Sequence, residues 1–458
     1  MSHPAEGTVT PSLNDTTLRT AVAKAARHLM PMLVILYFVA FLDRTNVGFA
    51  EAALRTDRGV SDGAFALGAG IFFIGYALFE IPSNLLLKRF GARFWLARIA
   101  ITWGIVAAAF SFTTNDTMFI ILRFLLGVTE AGLFPGVIMY LSDWFPNKVR
   151  VQMFAIFYLA QPFSQMIGAP LSGGLISFGD TVTPWQGWQV MFFVEGVLAV
   201  VAGIAALFLL TNSPAHAKFL DDDEKAALSS VMATEDRLRT EDGPSGVWRA
   251  LSNWKVWYFT VIYFALQIAV YGTTFYLPQQ VSSLIGLKVG WQVGLISAIP
   301  WLVGLFACYY FGRAANTLGR RRSWGTLFYL STGVFILGSA WAGANNLPLL
   351  GILFITLAVA SFLSVGPITW AYPTSFLTGA AAAAGIGLIN SLGNLGGFVA
   401  PLMRTSINAA VPTPTGAWGV VSLGVFAFAA AVMIWLTKYF RRAKSDDLLH
   451  DEPVAPGH

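Results

Sequence analysis

Charge is what this 458-residue chain has least of: Asp, Glu, Lys and Arg together make up 12% of it, about half the share of an ordinary soluble domain. Cysteine is nearly missing. Cys308 stands alone, which excludes an intramolecular disulfide and a cysteine-rich metal site. The five histidines form no zinc motif. No glycine-rich phosphate loop with its lysine occurs, so the chain does not read as an ATP-driven pump. The first 27 residues lack a leading apolar core with a cleavage site and read as a cytosolic tail, not a signal peptide. With no catalytic or cofactor-binding constellation in view, neither an enzyme nor a cofactor is expected.

What remains is apolar. Hydrophobic residues are 56% of the chain and the mean hydropathy is +0.63. A bilayer core of about 30 Å needs roughly 20 apolar residues per helix. Such runs recur near 29–50, 64–87, 95–112, 118–141, 152–177, 188–210, 256–280, 291–312, 324–343, 347–371, 381–403 and 415–437. An all-α membrane protein of twelve transmembrane helices is therefore predicted. The one long polar interior stretch divides the spans six and six. The expected organisation is a tail over 1–28, a first six-helix bundle over 29–210, a linker with one surface helix over 211–255, a second bundle over 256–437 and a tail over 438–458.

Lysine and arginine set the orientation. They crowd the two tails, the linker and the loops after the second, fourth and eighth spans; the opposite side has only Arg55, Arg58, Lys288 and Arg404. By the positive-inside rule both termini are cytoplasmic. The net charge of +5 then needs no nucleic acid, because basic loops beside a membrane are expected on topological grounds.

Ionised side chains at membrane depth cost from about 3 to more than about 10 kcal/mol and persist where they face one another, a water-filled path or a charged substrate. Asp43 and Arg44 lie together in the first span, and Arg123 and Glu130 in the fourth. Glu80 reads as a residue of the cytoplasmic end of the second span, within reach of Lys88 or Arg89, and Glu195 as a helix-packing or interface residue near the outer end of the sixth. A faint repeat, Asn84-x-x-x-Lys88-x-x-Gly91-Ala92-Arg93 and Gly312-x-x-x-Asn316-x-x-Gly319-Arg320-Arg321, follows the second and eighth spans. Repeats so placed suggest two related bundles rocking about a central site.

Several strings resemble the major facilitator superfamily, and within it the anion:cation symporters, a group that includes sugar-acid, tartrate and aromatic-acid permeases. They are Phe41-Leu-Asp-Arg-Thr-Asn-Val-Gly-Phe-Ala50, Ile81-Pro-Ser-Asn-Leu85 and Arg123-Phe-Leu-Leu-Gly-Val-Thr-Glu-Ala-Gly-Leu-Phe-Pro-Gly136, with Gln161-Pro162 and Glu195-Gly196. Asn84, Lys88 and Asn316 depart from the superfamily's loop pattern of Gly and Asp. The resemblance implies the major facilitator fold. It also implies proton coupling at Asp43 and Glu130, and substrate-facing bases at Arg44 and Arg123.

The residues themselves support that chemistry. Arg123 and Glu130 are two helical turns apart and share a face, with Gly127 between them. Asp43 and Arg44 point about 100° apart and can address different partners. All four ionised make a neutral set. An incoming carboxylate makes it negative unless a proton joins Asp43 or Glu130, which couples anion to proton by charge alone. The arginine fork suits a carboxylate. In the second half, Asn390 and Asn394 share a helical face, and Trp370 lies between Pro367 and Pro373. By resemblance to the family's binding positions, Tyr76, Gln161, Trp370 and Asn390 join Arg44 and Arg123 as candidate substrate residues.

The expectation is a monomeric carrier in the plasma membrane (the inner membrane of a bacterium) that imports a small carboxylate with protons through a lipid bilayer. Gln161 with Asn390 favours a hydroxylated acid such as a sugar acid or tartrate. An aromatic-acid symporter, an exporter or antiporter, and a sodium-coupled carrier with oxygen ligands around Asp43 remain open.

Overall fold

A computed structural model describes residues 16–241, 251–317, 320–373, 379–413 and 415–439, which are helical throughout with short connections and no strand. We label the helices of the first half α1 (Thr16–Arg58), α2 (Asp62–Phe90), α3 (Ala92–Phe112), α4 (Asp116–Trp144), α5 (Asn147–Tyr158 and Ala160–Val182) and α6 (Gly187–Leu209). Those of the second half are α7 (Trp254–Thr274), α8 (Trp291–Thr317), α9 (Arg321–Ala344), α10 (Pro348–Ala371), α11 (Gly379–Asn394 and Gly396–Ala410) and α12 (Ala417–Leu436). Within the first bundle α3 packs on α6, α2 on α4, and α1 on α5 and α6; within the second, α9 packs on α10 and α12, and α7 on α11 and α12. The bundles meet where α5 lies on α8 and α2 on α11. Large apolar side chains such as Val201 and Phe208 of α6 remain exposed, as a lipid-facing surface requires.

Among the described residues eleven helices are long and apolar enough to cross a membrane. The exception is α5, predicted as the fifth span, whose Gln161, Pro162, Ser164, Gln165, Pro170 and Ser172 dilute its hydropathy. Its polar side chains Ser164, Gln165 and Ser172 are buried against protein. That placement makes polarity tolerable at membrane depth.

Several helices are discontinuous. The first span, expected as one helix, starts earlier, at Thr16, and breaks at Asn46 between Thr45 and Val47. The fourth breaks after Glu130, where Gly132 adopts φ +88°, a left-handed conformation that glycine takes without steric cost. The fifth breaks at Leu159 just before Gln161-Pro162, and the eleventh at Leu395. α10, by contrast, runs through Pro367 to Ala371.

The linker is docked to the first bundle. Asp221 and Glu224 cap its helix (Asp222–Glu241) reciprocally: the Glu224 N–H donates to Asp221 Oδ1 (2.9 Å) and the Asp221 N–H to Glu224 Oε2 (3.0 Å). Glu224 also binds Lys24 of α1 (2.7 Å), and Glu235 binds Arg150 (2.7 Å). In the Asn84–Arg93 loop, Arg93 donates its backbone N–H to Asn212 Oδ1 and its Nε–H to the Leu207 carbonyl, fixing the loop to the end of α6. The side chains of the matching Gly312–Gly319 segment lie outside the described residues, as do residues 1–15 and 440–458 of the two tails.

Close helix approach rests on glycine. A Cβ on Gly127 of α4 would sit 2.0 Å from the Phe72 carbonyl oxygen of α2. A Cβ on Gly174 of α5 would meet nothing within 4 Å. Gly127→Val is therefore expected to destabilise the chain by about 1–3 kcal/mol or more, as overpacking does, with Gly174→Ala neutral. Thermal unfolding midpoints of the detergent-purified variants check this; equal midpoints would mean that α2 and α4 are not in contact there.

Candidate functional site

The breaks in α1 and α4 bring their charged residues together. Arg44 occupies the last turn before Asn46, and Glu130 is the last residue before the Ala131-Gly132 break. Arg44 Nη2 forms an ion pair with Glu130 Oε1, and Nη1 donates to the Tyr271 hydroxyl of α7 (3.3 Å), so one side chain links both bundles. The guanidinium lies over the rings of Phe41 (4.7 Å), Phe72 (4.9 Å) and Tyr76 (5.5 Å). Aromatic faces favour a cation with little water around it. Arg44 is 8% exposed and Glu130 fully buried.

Asp43 and Arg44 do address different partners. Asp43 turns away from the arginines towards α3, where Trp103 Nε1 donates to its Oδ2 (3.0 Å); its Oδ1 has no partner. Arg123 is fully buried and gives its Nε–H to the Gly68 carbonyl (3.1 Å) and Nη2 to the Ala69 carbonyl (3.4 Å) of α2. The face it shares with Glu130 is filled by α2, because Gly127 admits the Phe72 backbone and not a ligand. The four charges thus divide into one ion pair, one acid on a tryptophan and one base on carbonyl oxygens.

A cavity of about 300 Å³ lies between the bundles and reaches Arg150, which ties down the linker helix. Of the sequence-predicted residues it collects Arg44, Tyr76, Gln161, Trp370 and Asn390; Asp43, Arg123 and Glu130 stand behind its wall. Amides form a chain on its second-bundle side: Gln267 Nε2 donates to Asn394 Oδ1 (2.6 Å), and Asn394 Nδ2 to Asn390 Oδ1 (3.2 Å). Trp370 packs on Tyr263 with ring centres 4.8 Å apart. Rings of Tyr37, Phe73, Phe134 and Tyr158 complete the lining.

Sequence reasoning missed the α7 contribution. Tyr263, Gln267 and Tyr271 lie four residues apart in succession and all line the cavity. That i, i+4, i+8 stripe was the available signal, overlooked because α7 carries no charge at its centre. Glu80 does not reach Lys88 or Arg89. It is buried and accepts from Ser391 Oγ of α11 (2.9 Å), one turn from the cavity, because α2 packs on α11 there. Glu195 is a packing residue, accepting from Asn46 Nδ2 (2.8 Å) and Ser172 Oγ (2.7 Å). Arg404, expected at a helix end, is buried within the last segment of α11.

Comparisons with known proteins bear on this geometry. The sequence model of the Major Facilitator Superfamily matches residues 33–401. The chain is 38% identical over 436 residues to the inner membrane transport protein RhmT of Escherichia coli K12, covering 95% of this chain and 99% of that one. It is 40% identical over 407 residues to a putative tartrate transporter of Agrobacterium vitis, covering 87% and 86%. Among solved structures it resembles the xylose transporter XylE of E. coli in a partially occluded inward-open conformation, with TM-score 0.71, 16% identity and coverage of 93% and 99%; that likeness is one of fold.

Removing one member of a buried ion pair leaves an unpaired charge and costs about 3–5 kcal/mol, whereas replacing both with apolar groups is often neutral. Glu130→Leu alone is accordingly expected to lower unfolding stability markedly, and Arg44→Met with Glu130→Leu to recover most of the loss. Denaturant or thermal unfolding of the purified variants measures the cycle. Singles as stable as the parent chain would show that water already reaches the pair.

Proposed function

The chain belongs to the major facilitator superfamily, and on that premise we propose that it imports an organic carboxylate anion together with protons. It is a multi-pass membrane transporter, not an enzyme. The observation that carries the finer reading is the Arg44–Glu130 ion pair at the cavity wall. A substrate carboxylate and Glu130 are alternative partners for the same guanidinium. When the anion takes Arg44, Glu130 is left buried without a counter-ion and binds a proton. When a proton reaches Glu130 first, Arg44 is freed for the anion. The two orders are thermodynamically equivalent, and each ligand strengthens the other's binding by the same factor.

The remaining residues fall into roles around that exchange. Tyr76, Gln161, Trp370 and Asn390 hold the body of the substrate, with Gln267 and Asn394 extending the amide row. Amides and tyrosine hydroxyls suit a hydroxylated acid such as a sugar acid or tartrate, and a related chain is named as a putative tartrate transporter. Asp43 is the second protonatable acid, and Arg123 the charge-balancing base behind the wall. In this reading the chain works as a monomer in the plasma membrane with both termini cytoplasmic. A second reading, an aromatic acid as cargo, is favoured by one observation: rings dominate the cavity lining.

Purified protein in liposomes, screened with sugar acids, tartrate and benzoate under an inward proton gradient, tests both. Accumulation that a protonophore abolishes and sodium does not affect is expected; the acid that accumulates decides between the readings. Equilibration without accumulation sinks the coupling. Glu130→Gln is expected to lose gradient-driven accumulation by tenfold or more while keeping counterflow exchange. Loss of binding in that variant would instead make Glu130 a structural partner of Arg44.

A further inference from the structure

Among the described residues that line the central cavity, Arg44 and Arg150 are the charged ones, and none is an acid. The two cations are not equivalent. Arg150 stands where the cavity meets the linker helix, and its charge is spent there. It pairs with Glu235 (2.7 Å), gives its Nε–H to the Phe145 carbonyl (3.0 Å) and its Nη2 to the Ser142 carbonyl (3.3 Å). Arg123 sits behind the wall on the Gly68 and Ala69 carbonyls and does not reach the cavity. Arg44 has no backbone acceptor of this kind: it touches Glu130, the Tyr271 hydroxyl and three rings. Only Arg44 has a partner that a proton can neutralise at the cavity wall.

The opposite wall is neutral. Gln267 donates to Asn394 and Asn394 to Asn390, and the rings of Tyr263 and Trp370 lie beside that row. A row of amides offers donors and acceptors in alternation, which match hydroxyl groups because a hydroxyl both gives and takes a hydrogen bond. It holds no charge to set against a second carboxylate, and a buried anion without a counter-ion is costly. The charge count agrees. Asp43, Arg44, Arg123 and Glu130 sum to zero, and one carboxylate with one proton on Glu130 keeps that sum. A dianion needs a further proton, yet Asp43 faces Trp103 on α3 and not the cavity, so a proton there would not sit beside the second carboxylate.

We propose that the cargo is a monoanion, with one carboxylate on Arg44 and an uncharged remainder against the amides and rings of the second bundle. The inference rests on the carboxylate reading of the central cavity and narrows it. Among hydroxylated acids it selects a sugar acid with a single carboxylate over tartrate, which is a dianion at neutral pH. Among aromatic acids it selects benzoate-like monoacids over ring dicarboxylates.

The test is titration calorimetry on the full chain in detergent at neutral pH with matched pairs of acids: gluconate against glucarate, and 4-nitrobenzoate against terephthalate. Within each pair the length and shape are nearly kept while one charge is added. In the pair that binds, the monoanion is expected to be tighter by about tenfold or more. Asn394→Lys places a cation in the amide row and should close most of that gap; retained binding of the monoanion shows that the variant is folded. A gap that persists in Asn394→Lys would mean that shape and not charge excludes the diacid, and overturns the inference. Equal affinities within a pair, both lost when Arg44→Met is combined with Glu130→Leu, overturn the single charge and leave the carboxylate reading intact. Affinities unchanged in that double variant, or no binding of any of these acids, overturn the carboxylate reading itself.

Discussion

A guanidinium and a carboxylate withdrawn from water are tolerable only while each remains matched, and the Arg44–Glu130 pair imposes that condition on its surroundings. The pair needs α2, which carries Phe72 and Tyr76 against the cation, to lie close on α4, which Gly127 permits. It needs both charges to face inward, which the breaks at Asn46 and Gly132 arrange at the ends of helical segments. It needs a weakly polar cradle for the cation, which Phe41, Phe72 and Tyr76 supply. Any third charge that enters disturbs the match, and a proton is the smallest particle that can restore it.

The two ends of the molecule are held differently. Away from the linker, backbone meets backbone: a Cβ on Gly173 of α5 would fall 2.4 Å from the Gly290 carbonyl oxygen, and one on Gly294 of α8 would fall 2.4 Å from that of Ala169. Gly48 makes a similar approach to Phe275 across α1 and α7. Nearer the cavity, the hydrogen bond found among the described residues between α2 and the first segment of α11 is one side-chain bond, from Ser391 to Glu80. Packed backbone is released all at once or not at all, whereas one hydrogen bond contributes about 1 kcal/mol. Two bundles joined this way have a firm seam and a weak one.

Much of the fold was legible because hydropathy reports directly on what a bilayer accepts. Eleven spans follow from that rule alone. The twelfth, α5, was read as an apolar run like the others, although it trades apolar residues for buried Ser164, Gln165 and Ser172 and falls short of that rule. The site was legible in its charges, because Arg44 and Glu130 are conspicuous in apolar helices, but their pairing was not. Sequence spacing placed Arg123 beside Glu130 on one helix; the tertiary contact gave Glu130 to Arg44 and left Arg123 on the Gly68 and Ala69 carbonyls. The α7 stripe of Tyr263, Gln267 and Tyr271 was written in the sequence with the right period. Neutral polar residues in a spanning helix carry no cost large enough to stand out, so it passed unnoticed.

The ionisable groups of the central cavity come almost wholly from the first bundle, and the second faces them with amides and rings. Such a division makes the protein modular in an evolutionary sense. Substitutions on α7, α10 and α11 can reshape what fits without touching the Arg44–Glu130 pair, so a change of cargo need not disturb that buried match. Chains built on this plan can change what one bundle accommodates while inheriting the buried ion pair of the other, so the amide-and-ring half is the freer of the two to drift.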